Sequence, residues 1–398
     1  MFIPRIAQAA LVLLGALPVY GATVCNGYSE LCNRTFGNVT YIGTHDSYAV
    51  GSNNLAANQD YDVTQQLTDG IRMLQVQAHL QNGVIRLCHT SCLLLDGGSF
   101  TDYMNIVKMA RQQPERGHLH SHPASMVNLS YAPATKSVTA DQWPTLGTLI
   151  DSGKRVLTFM DNSADATAAP YLIDEFSNIW ETAYNVVDTA FPCTLNRTDG
   201  TAEGKMGLSN HFLDKYASVL GVQSLVPDKE SLNQTNGVSG VGSLGQEAQT
   251  CVALNGKHQT FFLVDYYNYG VGSVFRVAAT ANGVSYDTTK TIAPPIVSGS
   301  ASTSTSTARN TANSAPGLQL SSRRMDGLGR LVPCNGSSVG WSRHSINKRQ
   351  LDTFPRDGVP DGRGILSVSW HGLDWTFGLL SGIPLSFLRM AHSHILLI

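Results

Sequence analysis

Short apolar, β-branched runs recur along the first two thirds of the chain, each bounded by Gly, Asn or Asp. Their spacing predicts strands at 39–43, 71–76, 84–88, 155–160, 206–210 and 260–266. Between several of them apolar positions return at helical spacing, at 103–112 and 169–180. Strand and helix in alternation imply an α/β fold with a largely parallel sheet. A barrel and a doubly wound sheet both satisfy that pattern. No Gly-x-Gly-x-x-Gly turn follows directly on a predicted strand, which removes the usual dinucleotide argument for the second.

The two ends of the chain read differently from its middle. Arg5, the apolar run 6–17 and the small-residue site at Val19-Tyr20-Gly21 have the form of a secretory signal peptide over 1–21. The apolar stretch is too short for a spanning helix, which needs about 20 residues. The globular domain is expected over 22–290. Beyond Ile292 come Pro294-Pro295 and an alternating Ser/Thr/Ala tract, a low-complexity linker over 291–320 of the O-glycosylated stalk type. The tail, 321–398, reads as disordered or as a misread exon. Its apolar run 375–388 resembles a cleavable glycolipid-anchor signal. Pro384 breaks that run, however, and Arg389, His392 and His394 follow it, so a shifted or read-through exon explains it equally well.

Seven cysteines, six of them before the linker, suit an oxidising compartment. Closeness in the chain favours bridges Cys25–Cys32 and Cys88–Cys92, which leaves Cys193 for Cys251. A metal site at Cys88 and Cys92 is the alternative, but no second cluster completes a tetrahedral shell. Sequons at Asn33, Asn38, Asn128, Asn196, Asn233 and Asn335 would accept glycans on a secreted chain. A net charge of -2 supplies no basic footprint, and nucleic acid is not an expected partner.

Candidate chemistry gathers where strands end. His45 and Asp46 follow the first strand, and His89 ends the strand 84–88. In a parallel α/β fold the C-terminal strand ends form the active face. Two histidines meeting there can act as general base and general acid. His118, His120 and His122 alternate in a stretch with Gly117 and Pro123 that reads as a solvated loop.

The blocks Gly43-Thr44-His45-Asp46-Ser47, 70–77 and Leu87-Cys88-His89 resemble, in order and spacing, the X-region of phosphatidylinositol-specific phospholipases C. The nearer likeness is to the fungal secreted PLC-like phosphodiesterases. Segments 143–147, 153–161 and 262–267 resemble later blocks of that branch, so the likeness spans roughly 25–285. The resemblance implies a TIM-type (β/α) barrel and phosphodiester cleavage in lipid metabolism. It implies His45 as base, His89 as acid, Asp265 as the carboxylate orienting the base, and Asp46 beside it. Arg72, Gln75 and Gln77 would bind substrate.

The resemblance has two departures. Where bacterial relatives carry an Asp-x-Arg pair that clamps phosphate, and calcium-dependent ones carry acidic ligands, this chain has Gln75 and Gln77. No metal and no cofactor are therefore expected. Residues 113–123 are too polar and Pro-rich for the buried strand that the family has there, which leaves the barrel one strand short. The expected protein is a monomer, secreted or held at the cell surface, that meets a phospholipid or other phosphodiester at a membrane surface. The rival is a barrel that has lost catalysis and serves as a binding glycoprotein.

Overall fold

The computed structural model describes residues 21–51, 54–89, 91–111, 126–219, 221–296 and 391–397. The signal segment through Tyr20, the 113–123 stretch, the Ser/Thr tract and the tail up to residue 390 lie outside them. The strands are β1 Tyr41–Thr44, β2 Met73–Gln81, β3 Val84–His89, β4 Leu95–Ser99, β5 Val156–Met160 and β6 Leu172–Asp174. They continue as β7 Ile179–Glu181, β8 Met206–Asn210, β9 Asp214–Val219, β10 Val222–Pro227, β11 Phe261–Val264 and β12 Ala391–Leu397. The helices are α1 Val63–Asp69, α2 Phe100–Arg111, α3 Met126–Leu129, α4 Leu146–Asp151, α5 Leu232–Thr235, α6 Leu244–Asn255 and α7 Ser273–Ala281.

All six predicted strands form, and α2 takes in 103–111 of the predicted helix, whose last residue lies outside the described ones. The helix expected over 169–180 does not form: β6 and β7 take its place. Asp174 accepts from the Ser177 amide at 2.9 Å, and Asn178 Nδ2 donates to the Asp174 carbonyl at 2.8 Å. This Asx-type turn breaks a run whose apolar spacing alone suits a helix. Gly240, Gly242 and Gly245 have dinucleotide-motif spacing but follow α5 rather than a strand.

The main sheet runs β6-β5-β12-β2-β1-β11-β8-β7, with β3 and β4 extending outward from β2. Its pairs β5–β6, β2–β1, β1–β11, β11–β8 and β8–β7 are parallel. Strand β12 is antiparallel to both of its neighbours. The strands are buried at nearly every position, and successive residues pack alternately into two clusters. Tyr41, Met73, Leu157, Phe159, Phe261 and Leu263 share one cluster with Phe36 and Trp143. Ile42, Leu74, Val76, Val156, Phe262 and Val264 share the other with residues of α1, α2, α6 and α7. Both faces are thus covered, as parallel sheets require.

The end strands β6 and β7 are joined by only residues 175–178. At about 3.3–3.6 Å per residue that link keeps the two sheet edges close, so the sheet curls. No ladder joins β6 to β7 among the described residues, and the expected closed barrel is present only as this curled mixed sheet.

Local chemistry fixes the elements. The Asp62 side chain caps α1 through the Gln65 amide, and Gly70 ends that helix at φ 118°. Gly43 lets β1 approach β2, because a Cβ there would lie 2.9 Å from the Met73 side chain. Cys25–Cys32, Cys88–Cys92 and Cys193–Cys251 are bridged, as chain proximity favoured. No helix among the described residues is long and apolar enough to cross a membrane.

Candidate active site

Strands β1 and β11 run side by side with Thr44 opposite Val264, so the residues that follow them, His45 and Asp265, meet at the strand ends. His45 Nδ1 lies 3.0 Å from Asp265 Oδ1. Asn58 Nδ2 donates to both oxygens of that carboxylate, at 3.1 and 3.2 Å. Gln59 Nε2 donates to the His45 carbonyl at 2.8 Å. The base candidate is therefore held by its backbone and by its ring, and Asp265 selects the tautomer that carries a proton on Nδ1.

Asp46 is buried and takes a left-handed turn at φ 40°. Its amide donates to Gln75 Oε1 at 2.6 Å, and Gln77 Nε2 donates to its Oδ2 at 3.3 Å. The Nε2 atoms of both histidines point at the same Asp46 Oδ2, His45 from 3.7 Å and His89 from 3.4 Å. His89 Nδ1 donates to the Ala56 carbonyl at 2.6 Å, and the adjacent Cys88–Cys92 bridge anchors the end of β3. Both ring nitrogens of His89 thus face acceptors, which directs an Nε2 proton into the space between the two histidines. The ring centroids of His45 and His89 are 6.2 Å apart.

Burial opposes a charged His45, but the carboxylates of Asp265 and Asp46, with Asp214 beyond them, outweigh it and raise its pKa to about 9. Asp214, at the start of β9, moves the other way: burial, then the nearby Asp265 charge, push its carboxyl up to about 7. Phe212 lies flat on the His45 ring.

The structure brings together His45, Asp46, Gln75, Gln77, His89 and Asp265. It does not bring Arg72 to them. Arg72 precedes β2, at the end of the sheet opposite the histidines, where its guanidinium donates to the Leu67 and Ile71 carbonyls at 3.0 and 2.7 Å. It lines a separate cleft of about 210 Å³ with Tyr28, Thr40 and Lys290. Arg72 thus lies outside the histidine cluster, at the N-terminal end of its strand.

Sequence reasoning missed Asn58, Phe212 and Asp214. Phe212 carried a usable signal, since it stands two residues after the strand end at Asn210; Asn58, in an irregular loop, carried none. Also missed was a second polar group at the ends of β5 to β8. There Arg197 pairs with Glu181, its Nε donating to Oε2 at 2.8 Å, and packs between Phe176 and Tyr184. Burial raises the neighbouring Glu175 to about 7.

The chain is similar to known proteins. A secreted protein of Arthroderma benhamiae, itself described as uncharacterized, is 41% identical over 286 residues, which cover 66% of this chain and 65% of that protein. The chain thus spans about two thirds of that relative's length. A PI-PLC X domain-containing protein 1 of the same fungus is 35% identical over 304 residues, covering 69% of this chain and 94% of the relative. No solved structure matches. The family profile described as PI-PLC X 1 matches residues 31–116 and 118–282. That match takes in most of the globular domain and every residue of the His45 cluster, and the chain belongs to the PI-PLC X family.

Proposed function

We propose that this chain is a secreted phosphodiesterase that cleaves a phosphatidylinositol-like or related phosphodiester by acid/base catalysis, on a sheet that forms the family's TIM-type barrel. The observation that carries this reading is the convergence of two histidine Nε2 atoms on one carboxylate oxygen at the strand ends. In the proposed reaction a substrate hydroxyl attacks phosphorus, and its proton passes to His45 Nε2. The bond from phosphorus to the leaving oxygen breaks, and that oxygen takes the Nε2 proton of His89. Asp265 stabilises the imidazolium formed on His45. Each proton transfer is typically worth about 10²–10⁴ in rate. Secretion is supported by the N-terminal sequence and by the name of the first relative.

One observation favours the rival reading of a binding glycoprotein. Gln75 and Gln77 bring no charge to the phosphate, and both are engaged with Asp46. An assay of the purified protein against a panel of phosphodiesters decides between the two, with His45→Ala as control. Turnover that disappears in the variant is the expected result. Turnover that persists unchanged removes His45 from the mechanism, and no turnover on any member favours the binding protein.

A further inference from the structure

The sheet has one strand that does not come from the domain. Apart from β12, the described residues end at Ile296, and β12 enters from beyond residue 390. It lies between β2 and β5. Its ladders pair residues 391–396 with 73–78 on one side and residues 393–397 with 156–160 on the other. Without it the facing amides and carbonyls of two buried strands have no ladder partner. Each such group costs about 1–3 kcal/mol when left unsatisfied.

The order of residues in β12 matches the slot. In register, Leu396 stands opposite Met73 and Leu157, Ile395 opposite Leu74 and Thr158, and His394 opposite Gln75 and Phe159. His392 stands opposite Gln77. The apolar end of the segment therefore falls against the apolar half of β2, and its polar end against the half that carries the glutamines. The antiparallel direction sets this strand apart from the parallel order of β5, β2 and β1 around it.

We infer that the slot between β2 and β5 is a binding site for an extended peptide strand, which this chain fills in cis with Ala391–Leu397. Recognition is by main-chain hydrogen bonds on both edges, with specificity from alternate side-chain positions. Gln75 and Gln77 lie on β2 and hold Asp46, so occupancy of the slot is coupled to the order of the histidine site.

Hydrogen exchange on the full chain tests this. In the parent, amides of 73–78 and 156–160 should exchange slowly. Ile395→Pro removes a donor and fixes φ in mid-strand. It should speed exchange at those amides by about tenfold or more, leave β1 and β11 protected, and be reversed by a millimolar peptide of sequence Ala-His-Ser-His-Ile-Leu-Leu. Unchanged exchange in the variant, or an opened slot that the peptide does not protect again, overturns the inference. Because the proline could loosen the whole sheet, a second measurement keeps the strand intact. Ser393→Cys is combined with Val76→Cys or with Met160→Cys, and the oxidised product is mapped by mass spectrometry. A crosslink within one chain supports the inference. A crosslink to neither partner overturns it, and a crosslinked dimer overturns the assignment in cis.

Discussion

Phe212 lies against His45 with ring centroids 3.9 Å apart and planes 7° from parallel. The aromatic face fixes the plane of the imidazole and favours its charged form, in the way cations are held over aromatic rings. Phe212 is thus a positioning residue. Phe212→Ala should lower kcat by about tenfold, equivalent to about 1.4 kcal/mol, with a smaller effect on KM. It should also lower the His45 pKa read by NMR. If kcat and the pKa both stay at their parent values, the stack is packing alone.

His45 must lose its proton to act as base, and its pKa of about 9 means that the active form grows as pH rises toward that value. On the ascending limb that His45 sets, the rate should climb about tenfold per pH unit up to about 9. Asp265→Asn removes the larger of the two raising charges and should move this limb to lower pH while cutting the rate. The sign for stability is opposite. The folded state gains most from His45 below its ordinary value of 6.5, and that gain is lost as pH rises from there through about 9. A rate limb at or below pH 6.5 would contradict the assignment.

Gln77 donates to Asp46, at the position where the resemblance to bacterial phospholipases C implies a phosphate-clamping arginine in those enzymes. A guanidinium there should stabilise charge on the nonbridging phosphate oxygens, and Gln77→Arg should raise phosphatidylinositol cleavage by about tenfold or more, a modest share of the electrostatic contribution. The single change is the fair test. Gln75→Asp, which would mimic the relatives further, removes the oxygen that accepts the Asp46 amide and disturbs the turn between the histidines. A folded variant with no gain favours the binding-protein reading.

If, as the resemblance implies, Gln75 and Gln77 stand where calcium-dependent enzymes carry acidic ligands, two neutral amides replace those ligands. Cleavage by the purified protein should survive chelation. Activity that is lost in chelator and restored by calcium would reveal a metal site built from other carboxylates.

Buried His211 donates to the Thr235 carbonyl at 2.8 Å through one ring nitrogen and meets Glu247 at 2.5 Å through the other. Glu247→Ala should destabilise the fold by about 3–5 kcal/mol, because it strands a buried partner. Glu247→Gln retains a hydrogen-bonding group and should recover most of that loss. Denaturant midpoints of the three proteins check the order.

The strand ends at His45, His89 and Asp265 were legible because apolar runs stop there and polar chemistry begins at once. The tautomer contact, the Asp46 turn and the Phe212 stack were not, since each depends on strands far apart in sequence meeting in register. At 169–180 apolar spacing pointed to a helix, and side-chain hydrogen bonds from Asp174 and Asn178 decided for two short strands. In the tail, mixed polarity around His392 and His394 looked like noise. It becomes a pattern only beside β2 and β5.

His45 and its orienting carboxylate are separated by 220 positions in the chain. At synthesis rates of about 5–20 residues per second, roughly 10–40 s pass between the emergence of one and of the other. Through that interval the first histidine lacks the carboxylate that orients its ring, and the nascent chain cannot assemble the proposed proton relay. The chemistry is withheld until nearly the whole domain has been made, a delay set by the order of the strands alone.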